Sequence, residues 1–135
     1  MRNIIFLVVI NLCFYSCEKP EGEGGTSEIN GKVTYFTISY NAQTSSNDTN
    51  YYPKSGKDIF IIYSNNEDDL FDDKTETDWN GNFKFQYLRK GDYIIYTYVD
   101  SVVVNDVTYD YPVFNHVNIS ENNSSITLEE YIIEN

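Results

Sequence analysis

The sequence predicts a single all-β domain, a β-sandwich of about seven strands. The chain has 135 residues, which is room for one domain. Its second part consists of runs rich in Val, Ile, Tyr, Phe and Thr, separated by turn signals at the spacing that sandwiches and barrels show. Beyond residue 27, glycines lie beside these runs, where tight turns or close approaches of strands are expected; they are Gly31, Gly56, Gly81 and Gly91.

Seven runs have strand composition. In chain order they cover Ile29–Tyr40, Asp58–Ser64, Asn82–Tyr87, Asp92–Val99, Val102–Val104, Val107–Asn118 and Ser125–Ile133. The last run also fits a helical stripe through Leu128, Tyr131 and Ile132, but its β-branched residues favour a strand. The segment between the first two runs, Asn41–Lys57, is polar and is predicted to be a linker.

The turn at Asn80-Gly81 is the clearest local signal. Asn-Gly supplies the two positive-φ residues of a tight hairpin, so Trp79 just before it is expected to be exposed at the tip. Phe83 and Phe85 alternate with polar residues after the turn, which is the period of a half-buried strand. Further turns are predicted at Arg89–Asp92 and Asn105-Asp106.

The first residues have the pattern of an export signal. Arg2 precedes the apolar run Ile4–Ile10, which is too short to span a bilayer. The run ends at Ser16-Cys17, which resembles the lipobox of bacterial lipoproteins. The resemblance implies cleavage before Cys17, a diacylglycerol on its sulfur and a membrane anchor. An ordinary secretory signal with a coincidental Cys and a short uncleaved anchor are the alternatives.

Three segments follow from this assignment. Residues 1–16 are the predicted signal peptide, 17–26 a lipidated Cys with an acidic, Gly-rich and flexible tether, and 27–135 the β-sandwich domain. Acidic residues directly after the Cys resemble a signal that exports some lipoproteins to the outer face of the outer membrane. We therefore expect an outer-membrane protein that faces the cell surface, with a periplasm-facing orientation as the alternative.

The composition excludes several functions. Lys and Arg number 9 against 21 Asp and Glu, a net charge of −12, whereas nucleic acids and anionic lipid surfaces require clustered basic residues. Cys13 would leave with the signal and Cys17 would become a thioether, so the mature 119 residues (135 − 16) would contain no thiol. His116 is the only His, which argues against a zinc site or a Ser-His catalytic pair. We predict no enzyme activity and no cofactor.

A family resemblance refines the fold. The spacing from Thr77 to Tyr93 resembles the core signature of carboxypeptidase-regulatory-like domains, and Ile29-x-Gly31-x-Val33 resembles their opening strand. The matching residues of the first motif are Thr77, Asn80, Gly81, Phe83, Phe85, Leu88, Gly91 and Tyr93. The resemblance implies an immunoglobulin-like or transthyretin-like sandwich without catalytic residues. Such domains accompany enzymes, transporters or adhesins as folding, spacing or docking modules.

The acidic segment Glu67–Asp78 is a candidate for Ca²⁺ binding, because hard cations prefer clustered oxygen ligands. An EF-hand loop starting at Glu76 would need an acid at its twelfth position, which is Tyr87. A solvated acidic loop is the simpler interpretation. Asp100-Ser101-Val102 matches a short bacterial O-glycosylation pattern, so modification of Ser101 is a second open hypothesis.

Aromatic residues on both faces of several strands suggest a binding surface, since Tyr and Trp are favoured at interfaces. The candidate binding residues are Trp79, Tyr51, Tyr52, Tyr96 and Tyr98. The leading hypothesis is a non-enzymatic, lipid-anchored interaction module, an accessory subunit of an outer-membrane or cell-surface assembly with a protein partner. The alternative is a glycan-binding surface lipoprotein that uses Trp79 and neighbouring Tyr residues. The β-propensity of Tyr is the non-functional explanation.

Overall fold

The computed structural model describes residues 21–104 and 107–134. For residues 100–104, 107 and 108 it describes the backbone only. The described chain is all-β, as predicted, but it has nine strands where we expected about seven. They are β1 (Glu23–Asn41), β2 (Ser46–Pro53), β3 (Asp58–Ile62), β4 (Asp73–Glu76), β5 (Asn82–Leu88), β6 (Gly91–Val104), β7 (Val107–Ile119), β8 (Ser125–Thr127) and β9 (Tyr131–Glu134). A search of the described residues finds no helix with the length and apolarity needed to cross a membrane.

The first sheet is built around β1. β5 pairs antiparallel with its first half and β2 with its second half. The N–H of Val33 bonds Gly81, which precedes β5, and its C=O bonds Lys54, which follows β2. Since the N–H and C=O of one strand residue point to the same side, β5 and β2 lie on the same side of β1. β8 and β9 pair parallel with β1 on the other side. The second sheet has the order β4-β3-β6-β7 and is antiparallel throughout. The two sheets pack face to face.

The core between the sheets confirms the predicted alternation in β5. Phe83 and Phe85 are buried, whereas Lys84 and Gln86 between them are exposed. Tyr87 has a φ of 61°, and this local irregularity turns Leu88 into the core instead of Tyr87. The other buried apolar residues of this core are Ile29, Val33, Tyr35, Ile59, Ile61, Tyr93, Ile95, Val99, Val117, Ile119, Tyr131 and Ile133.

The turn around Asn80-Gly81 differs from the predicted hairpin. Gly81 alone takes a positive φ, 79°, and its N–H donates to the Asp78 carbonyl at 3.0 Å. Asn80 keeps a negative φ because the Asp78 carboxylate accepts the N–H groups of Asn80 and Asn82, each at 2.8 Å. These backbone donors, Asn82 first, lower the pKa of Asp78. The turn does not join paired strands: it carries the chain from β4 in one sheet to β5 in the other.

Two strands lie in segments that were predicted to be loops. β2 falls in the predicted polar linker and β4 in the acidic segment. Both strands lie at sheet edges, and their side chains are mostly exposed. Backbone hydrogen bonds to the neighbouring strand hold them, so their sequences do not need alternating apolar residues. The last run is β-structured, as predicted, but forms two short strands in place of one, and β6 runs continuously through Val99–Val102 with a register shift.

The predicted tether is partly folded. β1 begins at Glu23, so its first four residues lie within the segment that we expected to be flexible. Gly22 accepts the Arg89 N–H at 2.9 Å and donates its own N–H to the Tyr93 hydroxyl at 2.9 Å. A Cβ on Gly25 would lie 2.0 Å from the Leu88 carbonyl oxygen. The glycines here permit close packing, and residues 17–20 with the predicted signal lie outside the described residues.

Candidate binding face

The outer face of the second sheet carries a row of aromatic rings. The register places Phe60, Tyr96 and Phe114 side by side on β3, β6 and β7. The centroid of the Tyr96 ring lies 5.1 Å from the Phe60 ring centroid and 5.2 Å from the Phe114 ring centroid. Phe71 extends the row at 5.0 Å from Phe60, and Tyr98 lies 5.7 Å from both Phe60 and Tyr96. We call these five residues the aromatic face.

The loop of residues 63–72, which we call the strap, folds over the neighbouring row of this sheet. Glu67 reaches His116 on β7, with 2.8 Å between its Oε1 and the His Nε2. Since Ile62, Ile94 and His116 form one row across β3, β6 and β7, the strap crosses above that row. Ile62 and Ile94 are 2% and 0% exposed, although both point away from the main core. The outer face therefore carries a second, small core.

Hydrogen bonds hold the strap in shape. The backbone N–H of Tyr63 donates to the Asp72 carboxylate at 2.7 Å, and the Asp72 N–H donates to the Ile61 carbonyl at 2.9 Å. The carboxylate of Asp69 accepts from Ser64 at 2.6 Å and from Asn66 at 2.7 Å. The strap is thus a defined loop and not a loose acidic tail.

Several apolar side chains at the border of this second core are exposed. Leu70 and Phe71 in the strap are 89% and 47% exposed, and Tyr98 is 39% exposed. Tyr96 beneath them is buried, and this burial, with the Tyr98 hydroxyl beside it, raises its pKa. Exposed apolar groups that continue a buried cluster form a patch, whereas isolated exposed apolar residues are ordinary.

Lys74 on β4 is the register neighbour of Phe60, but acidic groups outnumber basic ones around the aromatic face. Asp58 lies beside it on β3 and pairs with Lys74 at 3.2 Å, while Asp92 accepts the Asn118 amide at 2.7 Å. The strap adds Glu67, Asp68, Asp69 and Asp72. An apolar centre within an acidic border defines the electrostatics of this surface.

The structure brings together two of the five predicted binding residues, Tyr96 and Tyr98. Tyr51 and Tyr52 lie on β2 in the other sheet, and as neighbours on a strand they point to opposite faces. Tyr51 contacts the Phe36 ring at 5.9 Å, and Tyr52 contacts that of Tyr35 at 6.2 Å.

Trp79 lies in the β4–β5 turn and is 88% exposed, where the sequence placed it. No ring of the described residues stacks on its indole. Cys17 lies outside the described residues, as does the Ser101 side chain.

Sequence reasoning missed Phe60, Phe71 and Phe114. Phe60 lies in a run where both alternating positions are apolar, and Phe114 shares its strand face with polar His116 and Asn118, so the strand period does not identify a second binding face. Leu70-Phe71 is an apolar pair within an acidic segment, and that contrast is a usable signal. Within the described ranges, no group of three or more His, Cys, Asp or Glu residues is placed to hold a metal ion.

The described part of the chain is thus a two-sheet sandwich with an aromatic outer face. No protein-family model and no curated protein matches the sequence. Among solved structures, the chain is similar to the crystal structure of a "putative carbohydrate binding protein" from Pseudomonas aeruginosa. The TM-score is 0.45 at 14% identity, over 84% of this chain and 91% of that chain.

Proposed function

We propose that this chain is a non-catalytic docking module whose aromatic face binds a protein partner. One observation carries the proposal: partly exposed Phe71 and Tyr98 pack against Phe60 and Tyr96 of the second cluster on the outer face of the sandwich, and Leu70 next to Phe71 in the chain is exposed. A sandwich needs one apolar face per sheet, so this cluster exceeds what the fold requires. Contiguous apolar patches with aromatic residues and a polar border are typical of protein interfaces.

The packing of the rings favours a protein over a glycan at this face. Phe60 and Tyr96 stack on each other with an interplanar angle of 19°, so each ring covers a face of the other. A sugar needs an open ring face on which to stack, whereas a protein surface can pack against ring edges and aliphatic groups such as Leu70. The acidic border adds charge complementarity, and the partner is expected to present an apolar centre with basic residues around it.

Membrane attachment through Cys17 is part of this proposal. The apolar run Ile4–Ile10 followed by Ser16-Cys17 supports a lipoprotein signal, and two or more acyl chains hold a protein stably on a membrane. The module would then serve as an accessory subunit of an outer-membrane or surface assembly. Cys17→Ala is expected to abolish acylation and partition into the detergent phase. A variant that still partitions like the wild type would point to an uncleaved anchor.

Pull-down from detergent-solubilised membranes, with the anchor intact, tests the docking function. The double variant Phe71→Ser/Tyr98→Ser is expected to lose a stoichiometric protein partner while remaining folded with a somewhat lower melting temperature, because each side chain is partly exposed and loses only part of its packing on Phe60 and Tyr96. The matched control is Tyr51→Ser, which changes an exposed Tyr on the other sheet. Retention of the partner by the double variant, or its loss in the control alone, would contradict the assignment of the face.

Glycan binding through Trp79 is the second candidate function. Its support is the 88% exposure of the indole on a turn that the Asp78 carboxylate makes rigid. If Trp79 stacks on sugars, soluble polysaccharide should shift its fluorescence, and Trp79→Ala should abolish retention on a polysaccharide column. Unchanged fluorescence across a panel of surface polysaccharides would remove this candidate.

A further inference from the structure

β7 is a long edge strand with an unused row of backbone groups. It covers 13 residues, Val107–Ile119, and among the described strands it pairs with β6 alone, on one side. Pro112 has no N–H, so it fits this ladder with its nitrogen directed away from β6. The two-residue period of a strand then directs the backbone groups of Phe114, His116 and Asn118 to the same free side. No hydrogen bond among the described residues uses these groups.

The part of β7 after Pro112 lacks the features that normally protect a sheet edge. Edge strands are usually short, bulged, or guarded by Lys or Pro. β4 is only four residues long, and β5 bends at Tyr87, which has a positive φ. Val113–Ile119, in contrast, contains no Lys or Pro, and its register with β6 is continuous. The segment is therefore regular, and the described residues leave its outer edge open to pairing with another chain.

We propose that a segment of the partner protein adds to β7 as an extra strand alongside Val113–Ile119. This inference rests on the proposed docking function and names how the partner binds. Main-chain hydrogen bonds would supply affinity, and alternate side chains would supply specificity. The added strand would lie directly beside the aromatic face, because Phe114 belongs to both the face and the edge strand.

The charges along β7 define the chemistry of that segment. Phe114 offers an apolar neighbour on the outer face of the strand. Asp110, two pairs away on the same face, and Asp92, which contacts Asn118, are acidic, as is Glu67 at His116. Opposite charges on neighbouring strands stabilise pairing and like charges oppose it. The partner segment is therefore an extended one that alternates basic or aromatic side chains toward this face with β-branched residues on the other.

Binding of a synthetic strand to the full chain tests the inference. The probe is the peptide acetyl-Lys-Val-Phe-Val-Arg-Val-Lys-amide, with the two N-methylated forms that block either the Phe and Arg nitrogens or the Val nitrogens. Strand addition predicts that one N-methylated form binds like the parent and the other does not, because only alternate N–H groups face β7. Equal binding of all three peptides would overturn the inference.

A matched pair of variants tests the β7 side. Asn118→Pro removes one outward N–H, and Pro112 shows that the ladder accepts Pro at such a position. Asn118→Ala removes the same side chain but keeps the N–H. We expect the Pro variant to bind the peptide roughly tenfold more weakly than the Ala variant, and the amides of Phe114 and His116 to exchange more slowly in the wild-type complex. Equal affinities, or slowed exchange elsewhere, would overturn strand addition.

The outcomes separate this inference from the docking function. If Phe71→Ser/Tyr98→Ser releases the membrane partner and Asn118→Pro does not, the docking face stands and strand addition fails. If neither variant releases it, both fail. If sedimentation of the protein alone shows a dimer in which Phe114 and His116 are already protected, the edge is occupied by a second copy and the proposed partner strand is wrong.

Discussion

Tyr131 joins the two sheets of the sandwich at a single residue. It lies on β9 in the first sheet, its ring packs 6.2 Å from that of Phe83, and its hydroxyl donates to the Ile95 carbonyl in the second sheet at 2.9 Å. Burial of the hydroxyl, slightly offset by a hydrogen bond with Asn115, raises its pKa to about 12. The folded state therefore holds this proton more tightly than the unfolded state does.

Alkaline pH is predicted to unfold the domain partly through Tyr131. The folded pKa of about 12 exceeds the unfolded value of about 10. The contribution is fully present below pH 10 and is lost as the pH rises toward 12, up to roughly 2–3 kcal/mol. Chemical denaturation from pH 8 to 11.5 measures it. Tyr131→Phe should be less stable at pH 8, through the lost hydrogen bond, but should show a flatter alkaline decline; a parallel decline would contradict the assignment.

Residue-level burial was predictable where one physical rule dominates. The alternation of Phe83 and Phe85 with Lys84 and Gln86 follows from the strand period, and the turn signal placed Trp79 in the solvent. The opposite orientations of Tyr51 and Tyr52 were not predicted. β2 has no apolar alternation, so the sequence alone could not identify it as a strand.

At the scale of elements, backbone pairing explains what composition could not predict. β2 and β4 are polar strands at sheet edges, where neighbouring backbone groups supply the hydrogen bonds and side-chain burial contributes little. The start of β1 is similar: its glycines indicated a flexible tether, but they allow the chain to approach the β5–β6 connection closely. Gly favours flexible segments and close approaches alike, so only the contacts distinguish the two.

Gly25→Ala is predicted to destabilise the domain because the new Cβ would meet the Leu88 carbonyl oxygen at 2.0 Å. The clash should cost roughly 1–3 kcal/mol, measured by urea denaturation. Gly56→Ala is the reference: Gly56 has a φ of 68° and no atom within 4 Å of an added Cβ, so it reports backbone strain without a clash. If Gly25→Ala leaves the unfolding free energy unchanged, the first residues of β1 are not packed against β5.

At the scale of the whole molecule, the binding face depends on contacts that are distant in sequence. The aromatic face joins β3, the strap, β6 and β7, and the register of three strands decides which rings meet. The sequence indicated excess aromatic residues in β6, so Tyr96 and Tyr98 were found. The contribution of the strap was not predictable, because Glu67 and His116 are 49 residues apart and no local pattern links them.

Site-specific photo-crosslinking on the membrane tests the docking face most directly. A photoreactive phenylalanine analogue replaces one exposed aromatic residue at a time in the full chain: Tyr98 on the aromatic face, Tyr51 on the other sheet, or Trp79 in the turn. We predict a discrete protein adduct from position 98 and none from position 51 or 79. Adducts from position 51 or 79 with none from position 98 would contradict the central claim that the partner binds the outer face of the second sheet.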